Sequence, residues 1–410
     1  MMDTNKPDKK SNVEVADIMR THIGDYNKKY KLHPSHYKVV RDILNCRTSY
    51  LGGHVEECDE CGAKRNAYNS CRNRHCPKCQ SMAKEKWLQE RKSELLPVKY
   101  FHNVFTLPHE INPVALCNKK VVYNILFKSA AETLLQFGKN PEGELKGKIG
   151  IHAVLHTWSQ LILDHFHLHC IVPGGALSFD QTRWTGCKYD YLFNVEALSI
   201  VFRAKFIDYF EKAYNKGSLQ FFGKSKSLGT KSGFKNLIDQ LWKKSWVVYS
   251  KKPFSGPEKV LEYLARYTHR VAISNYRIKS LHNGKVTFTY KNRDPDVIEE
   301  VTIDAVEFIR RYLLHVLPGK FMRIRHFGLF ANRYKSNNIS KCRRLMGLSS
   351  ELPEKIEKSI REIMLDLTGL DISRCPCCKK GTMREVAQIS RGTGISGIEI
   401  IRDSSIRASP

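Results

Sequence analysis

Two histidines and two tyrosines have residue types and spacings that suit metal-assisted phosphate chemistry. His167 and His169 are separated by one residue in a predicted strand, so both imidazoles point to one face. Tyr263 and Tyr267 are four residues apart in a predicted helix, which places their side chains one turn apart. Two imidazoles provide half of a divalent-metal site, and a tyrosine hydroxyl beside such an ion can attack a phosphate. Together the patterns predict cleavage of a phosphodiester through a covalent phosphotyrosine.

Each pattern alone also has an ordinary explanation. Most His-x-His pairs are incidental surface or core histidines, and many amphipathic helices carry half-buried tyrosines whose hydroxyls reach water. Arg266 and Arg270 lie on the polar flank of the tyrosine helix, where they are predicted to contact phosphates. It is the combination of the histidine strand with the tyrosine helix that favours chemistry over packing.

The third ligand of the histidine site is predicted to be Gln160, which precedes His167 by seven residues. His156 and His165 compete with it for this position. A mixed set of imidazole and amide ligands suits Mn²⁺ better than Mg²⁺, so the catalytic ion is expected to be one of these two.

A cluster of cysteines near the start of the chain has the spacing of a zinc site. Cys58 and Cys61 form one C-x2-C pair, and Cys76 and Cys79 form a second pair after 14 intervening residues. Such pairs are predicted to hold one structural zinc ion with four thiolates. Four neighbours remain near enough to replace a ligand or to build a second site: Cys46, Cys71, His54 and His75.

The setting of this cluster is basic, and Arg72 and Arg74 are predicted to contact DNA. A further pair, Cys375 and Cys378, would need a distant ligand such as Cys342 to complete a site.

The charge of the chain indicates a polyanionic partner. The 410 residues include 68 Lys+Arg against 41 Asp+Glu, a net charge of +27, which is typical of nucleic-acid binding. No segment reaches the roughly 18 consecutive apolar residues of a membrane span. Residues 1–12 lack the apolar core of a signal peptide, so a reducing compartment is expected. The 13 cysteines should then be thiols or metal ligands and not disulfides.

The order of predicted elements indicates an α+β fold with a helical zinc-binding domain followed by an antiparallel sheet with flanking helices. The predicted organisation is a disordered tail (1–13), the helical zinc-binding domain (14–97), a catalytic domain (98–335) with a helical insertion at about 195–245, and a basic C-terminal region with a C-x2-C pair and a flexible tail (336–410).

Several blocks of the sequence resemble the rolling-circle insertion-sequence transposases. The blocks are residues 58–80, 101–108, 156–158, 167–175, 263–274 and 325–333, and the similarity runs from about residue 30 to about residue 380. The resemblance implies an HUH nuclease (histidine, hydrophobic residue, histidine) with a divalent metal and tyrosine nucleophiles. It also implies rolling-circle-like transposition, with the single-stranded ends of the protein's own mobile element as partner. Arg325, which begins the last block, is a further predicted DNA contact.

The same resemblance places the protein in the bacterial cytoplasm, associated with the nucleoid, with no membrane partner and no small-molecule substrate. Two other functions remain open. One is a replication initiator or relaxase-type nuclease, which the lack of a P-loop pattern for a fused helicase slightly disfavours. The other is a non-enzymatic zinc protein that only binds nucleic acid.

Overall fold

Helices and antiparallel strands alternate along the chain, which confirms the predicted α+β class. The computed structural model describes residues 13–92, 94–254, 259–260, 271–292, 296–351, 358–392 and 398–400. The helices are α1 (Val15–Tyr30), α2 (Pro34–Leu44), α3 (Pro77–Lys92), α4 (Asn112–Cys117), α5 (Lys119–Lys139), α6 (Val195–Asn215), α7 (Lys231–Lys243), α8 (Ala305–Leu314), α9 (Lys335–Leu345) and α10 (Ile360–Thr368).

Within the described ranges, every paired strand has antiparallel neighbours. They are β1 (Gly53–Cys58), β2 (Lys64–Tyr68), β3 (Tyr100–Thr106), β4 (Gly150–Trp158), β5 (Asp164–Pro173), β6 (Gly175–Leu177), β7 (Trp184–Gly186), β8 (Val248–Phe254), β9 (Ile278–His282), β10 (Lys285–Lys291), β11 (Ile298–Asp304), β12 (Ile324–Gly328), β13 (Met383–Ile389) and β14 (Ile398–Ile400).

The chain forms two compact units, and each of them is assembled from segments that are separated in sequence. The first unit contains the residues up to 89, residues 273–310 and the residues from 356 onward, and the second contains residues 90–272 and 311–355. The sequence predicts four consecutive segments, whereas each of these units draws on residues from separate parts of the chain. The reason is contact between distant segments: β13 pairs with β1, and the Val15 N–H donates to the side-chain oxygen Oδ1 of Asn275. Of the predicted tail, only Val13 lies within the described residues.

The first unit combines the N-terminal helices with two sheets. Local sequence explains where the helices begin, because Glu14 and Asp17 form a capping box at α1 and Pro34 occupies the start of α2. One sheet has the strand order β14-β13-β1-β2 and the other has the order β11-β10-β9. The hairpin β1–β2 is therefore extended by a strand from the far end of the chain.

The second unit is built on a five-stranded sheet with the order β12-β4-β5-β3-β8. One face of this sheet is apolar and lies in the main core, with the following residues: Phe101, Phe105, Ile151, Ala153, Leu155, Phe166, Leu168, Cys170 and Val172. Helices α5 and α6 cover that face. The ring of Phe105 on β3 packs against that of Phe202 on α6, with 5.0 Å between the ring centres. Along the chain, α6 and α7 follow β7 and precede β8, at the position of the predicted insertion. Among the described residues, no helix has the length and apolarity needed to cross a membrane.

Candidate metal centres

The second face of the five-stranded sheet is rich in histidine. On the central strand β5, Phe166, Leu168 and Cys170 point into the core, so that the alternate residues His167 and His169 point away from it. The antiparallel register places His156 of β4 directly opposite His167. Residues opposite one another in such a ladder share a face, so the three imidazoles are brought together by strand pairing alone.

His156, His167 and His169 form a group that can hold a metal ion. One ring nitrogen from each residue lies within 4.8 Å of the other two. The side chains are 3%, 9% and 7% exposed, respectively, so their nitrogens are largely removed from bulk water. The geometry and the nitrogen donors fit a divalent ion of the zinc, manganese or iron type.

Hydrogen bonds set the orientation of two of these rings. His167 Nδ1 lies 2.8 Å from the carbonyl oxygen of His165 and donates to it, which leaves Nε2 of His167 as the metal-binding nitrogen. His169 Nδ1 lies 2.8 Å from Nε2 of His102, on the neighbouring strand β3, and the two rings are stacked. Burial lowers the pKa of His102 to about 3, so His102 is neutral and can accept a hydrogen bond from His169. Such outer partners fix the tautomer of a ligand.

The structure favours a different third ligand from the one predicted. Gln160 lies in the turn between β4 and β5, beyond the last residue of β4. His156, a competing candidate, instead stands within the cluster, because the ladder places it opposite His167. His165 is exposed at the start of β5 and is not part of the group. A role for Gln160 as a ligand stays a prediction.

The predicted nucleophiles lie outside the described residues. Tyr263 and Tyr267, together with Arg266 and Arg270, fall in residues 261–270, which the structure does not describe. Their roles remain those predicted from the sequence.

The four cysteines predicted to share one zinc ion are separated into two groups. Cys76 and Cys79 lie with Cys46 and Cys71, and all four sulfurs are within 4.8 Å of one another. The Sγ atom of Cys79 is 3.5 Å from that of Cys46 and 3.6 Å from that of Cys71. These values are close to the edge of about 3.8 Å of a tetrahedron with four Zn–S bonds of about 2.3 Å.

Cys58 and Cys61 are completed by Cys375 and Cys378, in a second group whose sulfurs are also within 4.8 Å of one another. The predicted set of Cys58, Cys61, Cys76 and Cys79 is therefore corrected, because the pairing of β1 with β13 brings the distant pair to the end of β1. Cys342, the distant ligand suggested for Cys375 and Cys378, is not in this group: it is buried among Leu329, Ile339 and other apolar residues of the second unit.

The members of both groups were visible in the sequence only as possible ligands. Cys46 and Cys71 stand near Cys76 and Cys79 in sequence, and the Cys375/Cys378 pair has C-x2-C spacing. Spacing identifies which two sulfurs share one turn, but it carries no signal for which turns meet.

The predicted DNA-contacting arginines of the described chain have different environments. Arg72 is exposed, with a φ of 53° in the loop of the first cysteine group, whereas Arg74 is half-buried. Burial lowers the pKa of Arg74. Arg325 donates to Asn124 Oδ1 at 2.6 Å, and its guanidinium lies 4.2 Å from the centre of the Phe127 ring. Arg325 thus has packing contacts within its own unit, and its part in DNA binding stays a prediction.

Comparison with protein families gives two matches. Residues 18–107 match the transposase zinc-binding domain, and residues 150–338 match the putative transposase family. The chain is 45% identical over 389 residues to the putative transposase y4qJ of Sinorhizobium fredii (strain NBRC 101917 / NGR234), covering 94% of this chain and 98% of that protein. It is 26% identical over 320 residues to the transposase for insertion sequence element IS801 of Pseudomonas savastanoi pv. phaseolicola, covering 77% and 75%.

Among solved structures, the conjugative relaxase TrwC in complex with DNA gives partial matches. A complex with mutant oriT DNA is 18% identical with a TM-score of 0.23, over 30% of this chain and 46% of that chain. A complex with a 27-mer DNA is 14% identical with a TM-score of 0.24, over 61% and 75%. The first match spans less than half of the relaxase chain.

Proposed function

The chain belongs to the insertion-sequence transposases that carry an N-terminal transposase zinc-binding domain, and we propose that it nicks and rejoins single-stranded DNA at the ends of its own element. The observation that carries the proposal is the group of three buried imidazoles on β4 and β5, within the region that matches the putative transposase family. Its place of action would be the nucleoid of a bacterial cytoplasm, where such an element lies.

The imidazole group supports a catalytic and not a structural metal site. Three protein ligands leave coordination positions free for a substrate oxygen, in contrast to a closed site with four thiolates. When bound there, a divalent ion such as Mn²⁺ or Mg²⁺ would polarise the scissile phosphate. The protein's own contribution is to hold three imidazole nitrogens in one place, through the β4–β5 register and the hydrogen bonds of His167 and His169.

The nucleophiles in this proposal are Tyr263 and Tyr267. A tyrosine hydroxyl has an ordinary pKa near 10, so it needs a polarised phosphate and nearby cations to react at neutral pH. Its oxygen would form a bond to phosphorus while the bond to the 3′ oxygen breaks, and the proton lost by the hydroxyl is balanced by one taken up by the 3′ oxygen. The 5′-phosphotyrosine retains the energy of the broken bond and allows the strand to be rejoined elsewhere.

Two tyrosines would allow two covalent linkages at once, one for the first cut strand and one for the second site, as rolling-circle-like transposition requires. Arg266 and Arg270 are expected to contact the phosphates beside them, and the exposed Arg72 is expected to contact DNA from the first cysteine group. The net charge of +27 supports a polyanionic partner. The curated relatives are named as transposases, which favours transposition over replication initiation.

The test is detection of a covalent protein–DNA adduct. The protein is incubated with Mn²⁺ and labelled single strands from the ends of its own element, and the products are separated on a denaturing gel. We expect a labelled protein band that is lost in the Tyr263→Phe/Tyr267→Phe double variant, and the single variants then assign the two roles.

Tyr276→Phe is the matched control, because Tyr276 is a highly exposed tyrosine in the 3-10 turn that follows residue 274. This variant should form the adduct at the rate of the unchanged protein. Tight DNA binding without a labelled band on any end would instead favour a protein that binds DNA and does not cut it.

A further inference from the structure

The second cysteine group joins the two ends of the described chain. We propose that Cys58, Cys61, Cys375 and Cys378 bind a second structural zinc ion, which fastens residues 371–389 to the β1–β2 hairpin. Two of these ligands lie beyond residue 338, where the match to the transposase families ends. The proposed zinc-binding domain is therefore discontinuous, with half of one site supplied by the C-terminal region.

The sulfur positions fit a tetrahedral ion and do not fit disulfides. Cys58 Sγ lies 3.7 Å from Cys378 Sγ, and Cys61 Sγ lies 3.7 Å from Cys375 Sγ. These separations match the edge of about 3.8 Å that four Zn–S bonds of about 2.3 Å produce. A disulfide requires about 2.05 Å between its sulfurs. Each contact links one C-x2-C pair to the other, so both pairs face a common centre.

The two C-x2-C turns have the same backbone geometry although they are more than 300 residues apart. In one turn the Gly62 N–H donates to the Cys58 carbonyl at 3.1 Å, and in the other the Lys379 N–H donates to the Cys375 carbonyl at 3.0 Å. The residue after the second cysteine has a positive φ in both turns, 66° at Gly62 and 59° at Lys379. Such a conformation is uncommon for lysine, so its occurrence here indicates a turn shaped to present two sulfurs together.

Backbone N–H groups are directed at the sulfurs of the C-terminal pair. The Cys377 N–H donates to Cys375 Sγ at 3.3 Å, and the Gly381 N–H donates to Cys378 Sγ at 3.3 Å. Hydrogen bonds of this kind stabilise thiolates, which are the form of cysteine that binds zinc.

Gly381 also explains how the two turns approach so closely. A Cβ atom at this position would lie 2.4 Å from Cys58 Sγ and 2.8 Å from the Cβ of Glu60. Any larger residue would therefore push the N-terminal pair away from the C-terminal pair. A glycine is required here by the site, and not by a special backbone conformation.

Strand pairing and ion pairing hold the same two segments together next to the sulfurs. Cys58 is opposite Met383 in the β1–β13 ladder. The Thr382 N–H donates to Asp59 Oδ1 at 2.7 Å, and the Asp59 N–H donates to the Thr382 carbonyl at 3.1 Å. Arg384 pairs with Asp59 at 3.1 Å. These contacts hold the two turns next to one another beside the four sulfurs.

The first experiment uses two exposed thiols of the unchanged, full-length protein. Cys61 and Cys377 are both exposed, but only Cys61 belongs to the group. The protein is treated with N-ethylmaleimide and each cysteine is quantified by mass spectrometry, before and after a strong zinc chelator. We expect Cys61 to be modified at least about tenfold more slowly than Cys377, and to accelerate with Cys375 and Cys378 after chelation. Equal rates at Cys61 and Cys377 before chelation would overturn the proposal.

The second experiment measures zinc per chain by elemental analysis. The Cys375→Ser/Cys378→Ser double variant should contain one zinc equivalent less than the unchanged protein, whereas the matched variant Cys377→Ser should lose none. Unchanged zinc in the double variant would overturn the proposal. If the double variant does not fold, the labelling rates in the unchanged protein still decide. Neither readout involves DNA, so failure of this proposal is distinguishable from failure of the proposed nuclease activity.

Discussion

The two kinds of candidate metal centre in this chain differ in ligand, number and construction. In the first unit, each group brings four cysteine sulfurs within 4.8 Å of one another. In the second unit, three imidazoles converge from two neighbouring strands. Four thiolates satisfy a tetrahedral ion, and their role is to hold the fold together, whereas three nitrogens leave room for a substrate. The number of ligands thus distinguishes the two candidate structural sites from the candidate catalytic site.

The construction of the two centres also differs. The cysteines stand in turns or at the ends of strands and helices, where left-handed residues such as Arg72, Gly62 and Lys379 shape the backbone near the sulfurs. The histidines stand on strands whose register is fixed by the apolar face beneath them, because a slip of one residue would expose Phe166 and Leu168. A turn site depends on its ion for order, and a sheet site is ordered by the core of the unit. We therefore expect opposite consequences when each centre loses its ion.

The largest effect should follow removal of a cysteine ligand. Cys76→Ser should release the ion of the first group and unfold the residues around it, because structural zinc contributes about 10–16 kcal/mol to the folding of small zinc domains. Zinc content and a thermal unfolding curve would measure this. Cys117→Ser, a half-buried cysteine outside both groups, is the control. Unchanged zinc content in Cys76→Ser would show that the ligand set is wrong.

The next effect concerns activity without loss of the fold. His167→Ala should lower the rate of DNA cleavage by about 10³-fold or more, while DNA affinity changes little because binding rests on Lys and Arg contacts to phosphate. The thermal midpoint should also change little, in contrast to Cys76→Ser. His165→Ala is a control on the same strand, since His165 is exposed and lies outside the group. Normal cleavage by His167→Ala would refute the metal assignment.

A related pair of variants identifies the third ligand. His156→Ala should reduce cleavage as strongly as His167→Ala, because His156 lies opposite it in the ladder. Gln160→Ala should reduce it by less than about tenfold, since Gln160 stands in the following turn. The reverse order of effects would support the ligand predicted from sequence.

A smaller effect is expected for the residue that positions His169. His102→Ala should raise the Mn²⁺ concentration needed for half-maximal cleavage by about 10–100-fold, because it removes the partner of His169 Nδ1. Cleavage at saturating Mn²⁺ should recover most of its rate, which a general folding defect would not allow. His102→Asn, whose amide retains hydrogen-bonding capacity, should show a weaker shift. Equal Mn²⁺ dependence in all three proteins would exclude this role.

The smallest effect separates buried histidines outside the metal group from those within it. His152 and His326 face each other across β4 and β12, with their Nδ1 atoms 2.7 Å apart. Burial lowers the pKa of His326 to about 4 and lowers that of His152 as well. Between about pH 6.5 and pH 4 the unfolded chain therefore binds more protons than the folded chain, and stability is lost as the pH falls through this window.

The expected loss is about 1 kcal/mol per buried histidine between pH 6 and pH 5. Denaturant unfolding at both pH values, followed by tryptophan fluorescence, would measure it. The difference between the two pH values should be smaller in His326→Asn than in the unchanged protein. An identical difference would show that His326 takes up protons in the folded state.

Much of the chemistry of this chain is determined by local sequence. The alternation around His167 and His169 is sufficient to predict a strand with two imidazoles on one face, because side-chain direction in a strand has a period of two. The C-x2-C spacing likewise predicts turns that present two sulfurs, and the blocks around both patterns indicate the transposase family. The α+β class follows from the same local patterns.

Tertiary structure alone decided which of these local pieces meet. The partner of Cys58 and Cys61 is set by the pairing of β1 with β13, across more than 300 residues of chain, and no local spacing encodes that closure. The third imidazole is set by the β4–β5 register, which places His156 rather than Gln160 beside His167. Local sequence fixes the direction of neighbouring side chains, whereas contacts between distant segments depend on the packing of the whole core, which decides the register of each strand.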